Sequence, residues 1–152
     1  MLEGALLGAI GGIIGIIIVF FMRSQRYNNL MKGITDPGVQ YSALFYYASP
    51  NRYQKSFKFY DSYGILYLIG NTVYYKTSTT GTPIAFNLAE CRVQQEPDWR
   101  KLKWLSISTP AGEKYYFVSF KQGAFVNNSD ETLKALSIFR SKIPGPPPPP
   151  IN

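Results

Sequence analysis

Residues able to carry out acid–base, nucleophilic or metal chemistry are few in this chain and are not grouped. The 152-residue sequence has no histidine, which removes histidine-based nucleophile arrangements and histidine metal sites, and it has a single cysteine, Cys91. No two acidic side chains of the domain are spaced as a catalytic pair, and most of them fall in turns or at a helix start: Asp61, Glu96, Asp98, Glu113, Asp130 and Glu131. We therefore expect a protein that is not an enzyme and that takes no cofactor, metal or small-molecule substrate.

The net charge and the cysteine content limit which partners and which cellular compartment are expected. The chain carries 16 Lys and Arg against 9 Asp and Glu, a formal net charge of +7. The basic residues are scattered and no helix-turn-helix, zinc or RNA-binding signature is present, so nucleic acid is not an expected partner. An anionic lipid surface is expected to attract such a domain. One cysteine cannot form an internal disulfide, which fits a reducing compartment.

The first long element is the stretch "GALLGAIGGIIGIIIVFFMR", residues 4–23, which has no charge before Arg23. A helix of this length predicts a single transmembrane helix over residues 1–23. Lys and Arg follow the stretch and are absent before it, so the positive-inside rule predicts an amino end outside the cell membrane and a cytoplasmic carboxy-terminal domain. The bulky exit argues against a cleaved signal peptide.

Glycines mark one side of this predicted helix. At about 100° per residue, five of them share one face: Gly4, Gly8, Gly11, Gly12 and Gly15. Such a face lets another helix approach closely, so we interpret it as a helix-packing interface with other transmembrane subunits. The alternative is that the glycines reflect the ordinary composition of membrane helices. Whether the neighbour is a copy of this chain or another protein stays open.

Residues 24–51 are interpreted as a juxtamembrane linker that contains the aromatic segment "YSALFYYASP". Phe45, Tyr46 and Tyr47, together with Arg23 and Arg26, are expected to contact a partner or the membrane. The alternative is that the aromatic segment packs on the folded domain.

Residues 52–143 have the pattern of a small α+β domain. Short segments rich in β-branched and aromatic residues, separated by turn residues, predict an antiparallel sheet of seven strands at 52–60, 64–70, 72–77, 82–88, 90–95, 101–108 and 114–120. A change in the hydrophobic alternation predicts a β-bulge near Trp104.

After the last predicted strand, the apolar residues recur with the spacing of an α-helix. Asn128 is a plausible cap, and an apolar stripe follows it: Leu133, Leu136, Phe139 and Ile143. This indicates one amphipathic helix that covers the sheet and ends before Pro144.

Seven strands followed by one helix resemble the pleckstrin-homology-like superfold, a β-barrel closed by a carboxy-terminal helix. "GILYLIGNTVYYKT" and "KWLSISTPAGEKYYFVSF" are similar to segments of GRAM and bacterial pleckstrin-homology-like domains. The resemblance implies a domain that binds lipids, or peptides and proteins, in some of its members. Its phosphoinositide site uses Lys and Arg of the first hairpin, and the loop expected there, residues 61–63, is short and acidic, so that site is not carried over.

The sequence ends in a proline-rich tail, residues 144–152. A polyproline II form is expected, with tail contacts through Pro146, Pro147, Pro148, Pro149, Pro150 and Ile151.

Three features of the sequence each indicate contact with a neighbouring protein: the glycine-faced helix, the aromatic segment and the proline-rich tail. Together they predict a noncatalytic, single-pass accessory or scaffold subunit of a larger membrane complex. The alternatives are a membrane-tethered lipid-binding module and a peptide-binding adaptor.

Overall fold

The computed structural model describes the backbone of residues 2–119, 121–122 and 127–144, and the side chains of residues 8–9, 11–119 and 129–144. Two helices and nine strands form in the order α1 (Leu2–Lys32), β1 (Val39–Ala48), β2 (Ser62–Ile69), β3 (Thr72–Lys76), β4 (Ile84–Asn87), β5 (Arg92–Trp99), β6 (Leu102–Ser108), β7 (Lys114–Val118), β8 (Lys121–Gln122), β9 (Asn127–Asn128) and α2 (Asp130–Lys142).

The first seven strands form one antiparallel sheet in the order β4-β3-β2-β1-β7-β6-β5. Strand β1 is the central strand, because it pairs with β2 along most of its length and with β7 through Tyr46, Tyr47 and Ala48. Strands β8 and β9 pair with each other. The predicted α+β class, with seven antiparallel strands and a carboxy-terminal helix, is confirmed at this level.

The first strand lies elsewhere than predicted. Residues 52–60 form no strand, and the central strand is the aromatic segment that the sequence assigned to a linker. Tyr41 and Phe45 pack on one side of β1, and Leu44 packs on the other. Because both faces of β1 are covered, its apolar residues do not alternate with polar ones, and the period-2 signal is weak.

Helix α2 packs on one face of the sheet. Leu136 and Phe139 of the predicted stripe join the main core together with Ala135, and Ile143 packs against it, whereas Leu133 is 36% exposed. Thr132 is buried, and its hydroxyl accepts a hydrogen bond from the Ser119 amide at 2.8 Å and donates to the Ser119 carbonyl at 3.1 Å. The helix is therefore held by a polar contact that an apolar stripe does not reveal.

The start of α2 also differs from the prediction. Its N-cap is Ser129 rather than Asn128, and the Ser129 hydroxyl makes no capping hydrogen bond. That hydroxyl instead accepts a hydrogen bond from the Lys103 amide at 2.9 Å, which fastens the beginning of α2 to β6.

Helix α1 is continuous through residue 23, the expected boundary. In the part of the chain that the structure describes, no helix is long and apolar enough to cross a membrane. The predicted transmembrane helix is therefore wrong, and so is the single-pass membrane localisation with an outer amino end and a cytoplasmic domain.

The carboxyl end of α1 is fixed to β3. Lys76 is only 8% exposed, and its Nζ donates to the Gly33 carbonyl at 3.2 Å, where a positive charge is favourable because helix carbonyls point outward. Gly33 lies so close to the segment after β3 that an added Cβ would be 2.7 Å from the Thr79 carbonyl oxygen. Only a residue without a side chain fits this junction unchanged.

Three polar side chains converge on Glu96 of β5. Its Oε1 accepts hydrogen bonds from Ser106 at 2.6 Å and Gln94 at 2.8 Å, and lies 2.6 Å from the Lys114 Nζ. Burial alone would raise the pKa of Glu96, but these bonds outweigh it and hold that pKa below its usual value. For Lys114, burial alone would lower the pKa, but the bond and charge of Glu96 outweigh burial and raise it.

We predict that Gly33→Ala lowers the free energy of unfolding by about 1 to 3 kcal/mol, because the backbone around Thr79 must shift. Urea denaturation measures the change. Gly12→Ala is the matched control, since nothing lies within 4 Å of a Cβ there. Equal stability of Gly33→Ala and Gly12→Ala would contradict the close approach.

We also predict that the stabilising effect of Glu96 depends on pH. A depressed pKa stabilises the fold above the unfolded value of about 4.5, and this stability is lost as the pH falls through the folded value. The raised pKa of Lys114 gives stability that is present below about 10.5 and lost as the pH rises through the folded value. The difference in unfolding free energy between the wild type and Glu96→Gln should therefore be largest near neutral pH and shrink in acid.

Urea denaturation at several pH values measures this difference, and Glu90→Gln, which removes an exposed carboxylate, serves as the control. A gap that stays constant from neutral pH to pH 3 would argue against the Glu96 network.

Candidate interaction surface

The carboxy-terminal third of α1 packs firmly on the sheet. Leu30 is buried in a second core cluster on the opposite face from α2, together with Leu44, Ile65 and Tyr67. The Tyr27 hydroxyl lies 2.6 Å from the Ser42 Oγ, within hydrogen-bond distance. This third of the helix is therefore part of the domain.

The preceding part of α1 makes no comparable contact. Every large apolar side chain described from Ile13 to Met22 is between 51% and 70% exposed. Isoleucines, Val19, Phe20 and Phe21 surround the helix rather than forming one stripe, and a helix that is apolar all round is normally buried. This segment, residues 11–22, is called the apolar segment below.

The glycines in the first half of α1 do not pack against any other described part of the chain. An added Cβ at Gly8, Gly11, Gly12 or Gly15 would meet nothing within 4 Å. Each glycine inside a helix costs about 0.8 to 1 kcal/mol relative to alanine. Gly4 lies in the α1 backbone, outside the residues whose side chains are described.

The aromatic residues expected to contact a partner are partly taken up by the fold. Phe45 is fully buried in the core, so its expected role in partner or membrane contact is corrected: it packs on the domain. Tyr46 and Tyr47 are half-buried, and Tyr46 stacks on Tyr63 with ring centroids 4.2 Å apart. Arg26 lies over the Tyr63 ring at 5.4 Å and donates to the Tyr63 carbonyl.

The phenol groups of Tyr46 and Tyr63 are uncharged, so these residues offer ring surfaces for contact and do not act as acids or bases. Burial raises the pKa of both phenols, and the nearby charges of Arg23 and Arg26 only partly oppose that rise. The arginines expected at a contact site are thus placed beside a tyrosine pair at the edge of α1.

A second surface lies where the β1–β2 loop, residues 49–61, meets the β5–β6 turn. The Tyr53 hydroxyl is 3.4 Å from the Pro97 carbonyl, and Arg100 donates through Nη2 to the Ser56 carbonyl. We call this surface the basic tip: the loop 49–61 together with Arg100 and Lys101. Segments 49–61 and 97–103 carry six cationic and two acidic side chains, a net charge of +4.

An aromatic cluster supports the basic tip from below. Tyr53 stacks on Tyr116 at 3.9 Å and meets the edge of Trp104 at 5.1 Å, while Phe59 lies 5.4 Å from Trp99. Burial, followed by the charge of Glu96, raises the pKa of Tyr53 to about 12. The Trp104 Nε1 is the one buried side-chain nitrogen or oxygen among the described residues that has no hydrogen-bond partner.

The outer side of the basic tip is exposed. Phe57 is fully exposed, and Arg52, Lys55 and Lys58 on either side of it lie at the surface. Sequence reasoning missed this surface because the alternation of residues 52–60 was interpreted as a strand. The signal that could have revealed the loop is the concentration of Lys and Arg, which is unusual for a strand with a buried face.

A cleft of about 580 Å³ separates α1 from β1 and α2. Phe20 and Arg23 line one side, Lys134 lines the other, and the Tyr41 hydroxyl donates to the Glu131 Oε1 at 2.7 Å within it. Its walls combine apolar rings with a few polar groups, so a short peptide segment would fit its size and chemistry.

No arrangement in the described part of the chain favours catalysis. No group of three or more acidic, cysteine or histidine residues there could hold a metal ion. Cys91 is half-buried, and burial followed by the charge of Glu90 raises the pKa of its thiol, which lowers the fraction of reactive thiolate.

The expected tail contacts at Pro146–Pro150 and Ile151 lie outside the described residues.

Comparison with known proteins finds no matching family model and no matching curated protein. The identification with pleckstrin-homology-like domains behind a membrane-spanning helix is therefore corrected: no family model supports it, and α1 is not a candidate span in the described part. The chain is characterised by its seven-stranded antiparallel sheet with two helices.

Proposed function

We propose that this protein is a noncatalytic accessory or scaffold subunit that joins a larger protein complex through the apolar segment of α1. The sheet domain holds the helix, and the helix makes the contact with a helical partner protein.

The observation that carries the proposal is the exposure of the apolar segment. Large side chains from Ile13 to Met22 lie open on a helix whose other end is fixed to the sheet. Contiguous apolar surface of this kind is rare on isolated proteins and typically marks an interaction site. A firmly held base also lowers the entropy that the helix loses when a partner binds.

The glycine face gives a second, independent support. The open space around Gly11, Gly12 and Gly15 means that larger residues would fit the isolated chain and would favour the helix. Glycine is expected at these positions if another helix approaches backbone to backbone.

A second candidate function is peptide capture. The cleft between α1, β1 and α2 has the size and mixed lining of a binding site, which favours the adaptor alternative. The two functions are compatible, since the cleft and the glycine face involve different side chains of α1.

We predict that a photo-crosslinking residue introduced at position 19 of the full-length protein forms one covalent adduct of defined mass in the native host. Val19 is 62% exposed and lies on the same side of α1 as the glycines, so the replacement leaves the fold intact and faces the partner helix. Gly11→Ile combined with Gly15→Ile should abolish the adduct, because the added branches prevent the close approach of a partner helix.

Two controls accompany this test. A photo-crosslinking residue at Thr80, exposed in the loop before β4, should give no such adduct. Ile13→Leu, on the opposite side of the helix from the glycines, should leave the adduct of position 19 in place. An adduct whose yield is the same with and without the glycine substitutions would overturn the proposal.

A further inference from the structure

The backbone of the basic tip is strained where its cations are displayed. Among the described residues, the non-glycine residues with left-handed φ are Gln54 at 62°, Arg100 at 53° and Lys101 at 59°, and all of them belong to the basic tip. A non-glycine residue is disfavoured in this conformation, and such residues cluster at functional sites.

Arg100 and Lys101 form the two-residue connection of the β5–β6 hairpin, since Trp99 pairs directly with Leu102. Positive φ at both connecting residues is the signature of a type I′ turn, which strongly prefers Asn-Gly. This hairpin therefore carries two cations at positions where uncharged residues would be more stable.

The Arg100 side chain is held in one orientation. Its guanidinium lies 4.5 Å from the centre of the Trp99 ring and 5.7 Å from that of Phe59, and it donates to the Ser56 carbonyl. A fixed, planar guanidinium matches a carboxylate through paired hydrogen bonds. In the aromatic cluster below the basic tip, the buried Trp104 Nε1 has no hydrogen-bond partner among the described residues. This is a second feature of the region that does not favour stability.

We propose that the basic tip binds an acidic protein segment that also carries an apolar residue. Arg100 and Lys101 pair with its carboxylates, and the fully exposed Phe57 packs on its apolar side chain. The net charge of +4 supplies the complementarity. The inference extends the proposed role in protein assembly to a second surface, and it is tested on side chains remote from the apolar segment of α1.

Geometry favours a protein segment over other anions. Mobile lysines alone attract a bilayer surface, which requires no fixed orientation of a guanidinium. A strained turn that holds Arg100 in place suits directional recognition of carboxylates, and one exposed aromatic side chain provides an anchor of the kind that dominates protein interfaces.

The test uses the full chain and a synthetic peptide of alternating Glu and Leu. The chain has two tryptophans, Trp99 and Trp104, and both lie in the basic tip or directly beneath it, so intrinsic fluorescence reports binding. We expect a saturable change with the Glu peptide that weakens with added salt, and no change with a peptide in which Gln replaces Glu.

The decisive variant is Arg100→Asn combined with Lys101→Gly. It should raise the melting temperature, because Asn-Gly suits the turn, and weaken peptide binding by about tenfold or more. Phe57→Ala should weaken binding without affecting the turn. Arg140→Gln with Lys142→Gln removes the same charge from α2 and should leave binding nearly unchanged.

Three results would overturn the proposal: no binding of the Glu peptide, equal binding by the turn variant, or equal loss in the α2 variant. Preferential binding of phosphatidylserine vesicles or of polyuridylic acid over the peptide would assign the surface to another anion and would also overturn it. The proposed role of α1 is unaffected by these results, since the glycine variants test it separately.

Discussion

The junction between the end of α1 and strand β3 is the constraint on which the arrangement of the molecule depends. The buried Lys76 ammonium donates to the Gly33 carbonyl, just beyond the end of the helix, and Gly33 allows the chain to pass close to Thr79. Because the helix is fixed here, its apolar segment has a defined relation to the sheet. A flexible tether would leave the same residues without a geometry that a partner could recognise.

The sheet supports this arrangement because both of its faces are covered. Helix α2 covers one face, and the base of α1 and the loop 49–61 cover neighbouring parts of the other. Tyr46 of β1 connects the two outer elements, since it contacts Tyr60 of the loop and stacks on Tyr63, over which Arg26 of α1 lies. The elements that seal the outer face are also the ones that expose apolar and basic side chains.

Sequence reasoning predicted the elements whose pattern is local. Strands β2 to β7 and helix α2 were predicted close to their positions, because each shows its own period and turn residues. The first strand was assigned wrongly because β1 is buried on both faces and lacks alternation. Its aromatic residues were therefore placed in a linker, although Phe45 lies in the core. The bulge was predicted in the strand of Trp104, whereas the extra residue lies in the partner strand β5, between Glu96 and Trp99.

The candidate surfaces were less accessible to prediction. The glycine face follows from spacing alone, but the open space around it is a property of the structure. The basic tip depends on contacts between segments more than 40 positions apart, such as Arg100 with Ser56, which no local pattern contains. Apolarity in the sequence also suggested a membrane, whereas the described part of α1 is not a candidate span.

The measurement that tests the central claim most directly is amide hydrogen exchange of residues 11–22, compared between the purified chain and the chain in its isolated native assembly. A helix end without tertiary contacts exchanges rapidly, and burial against a partner slows it. The account predicts strong slowing in residues 11–22 with little change in the core strands. Identical exchange of this segment in both samples would contradict it.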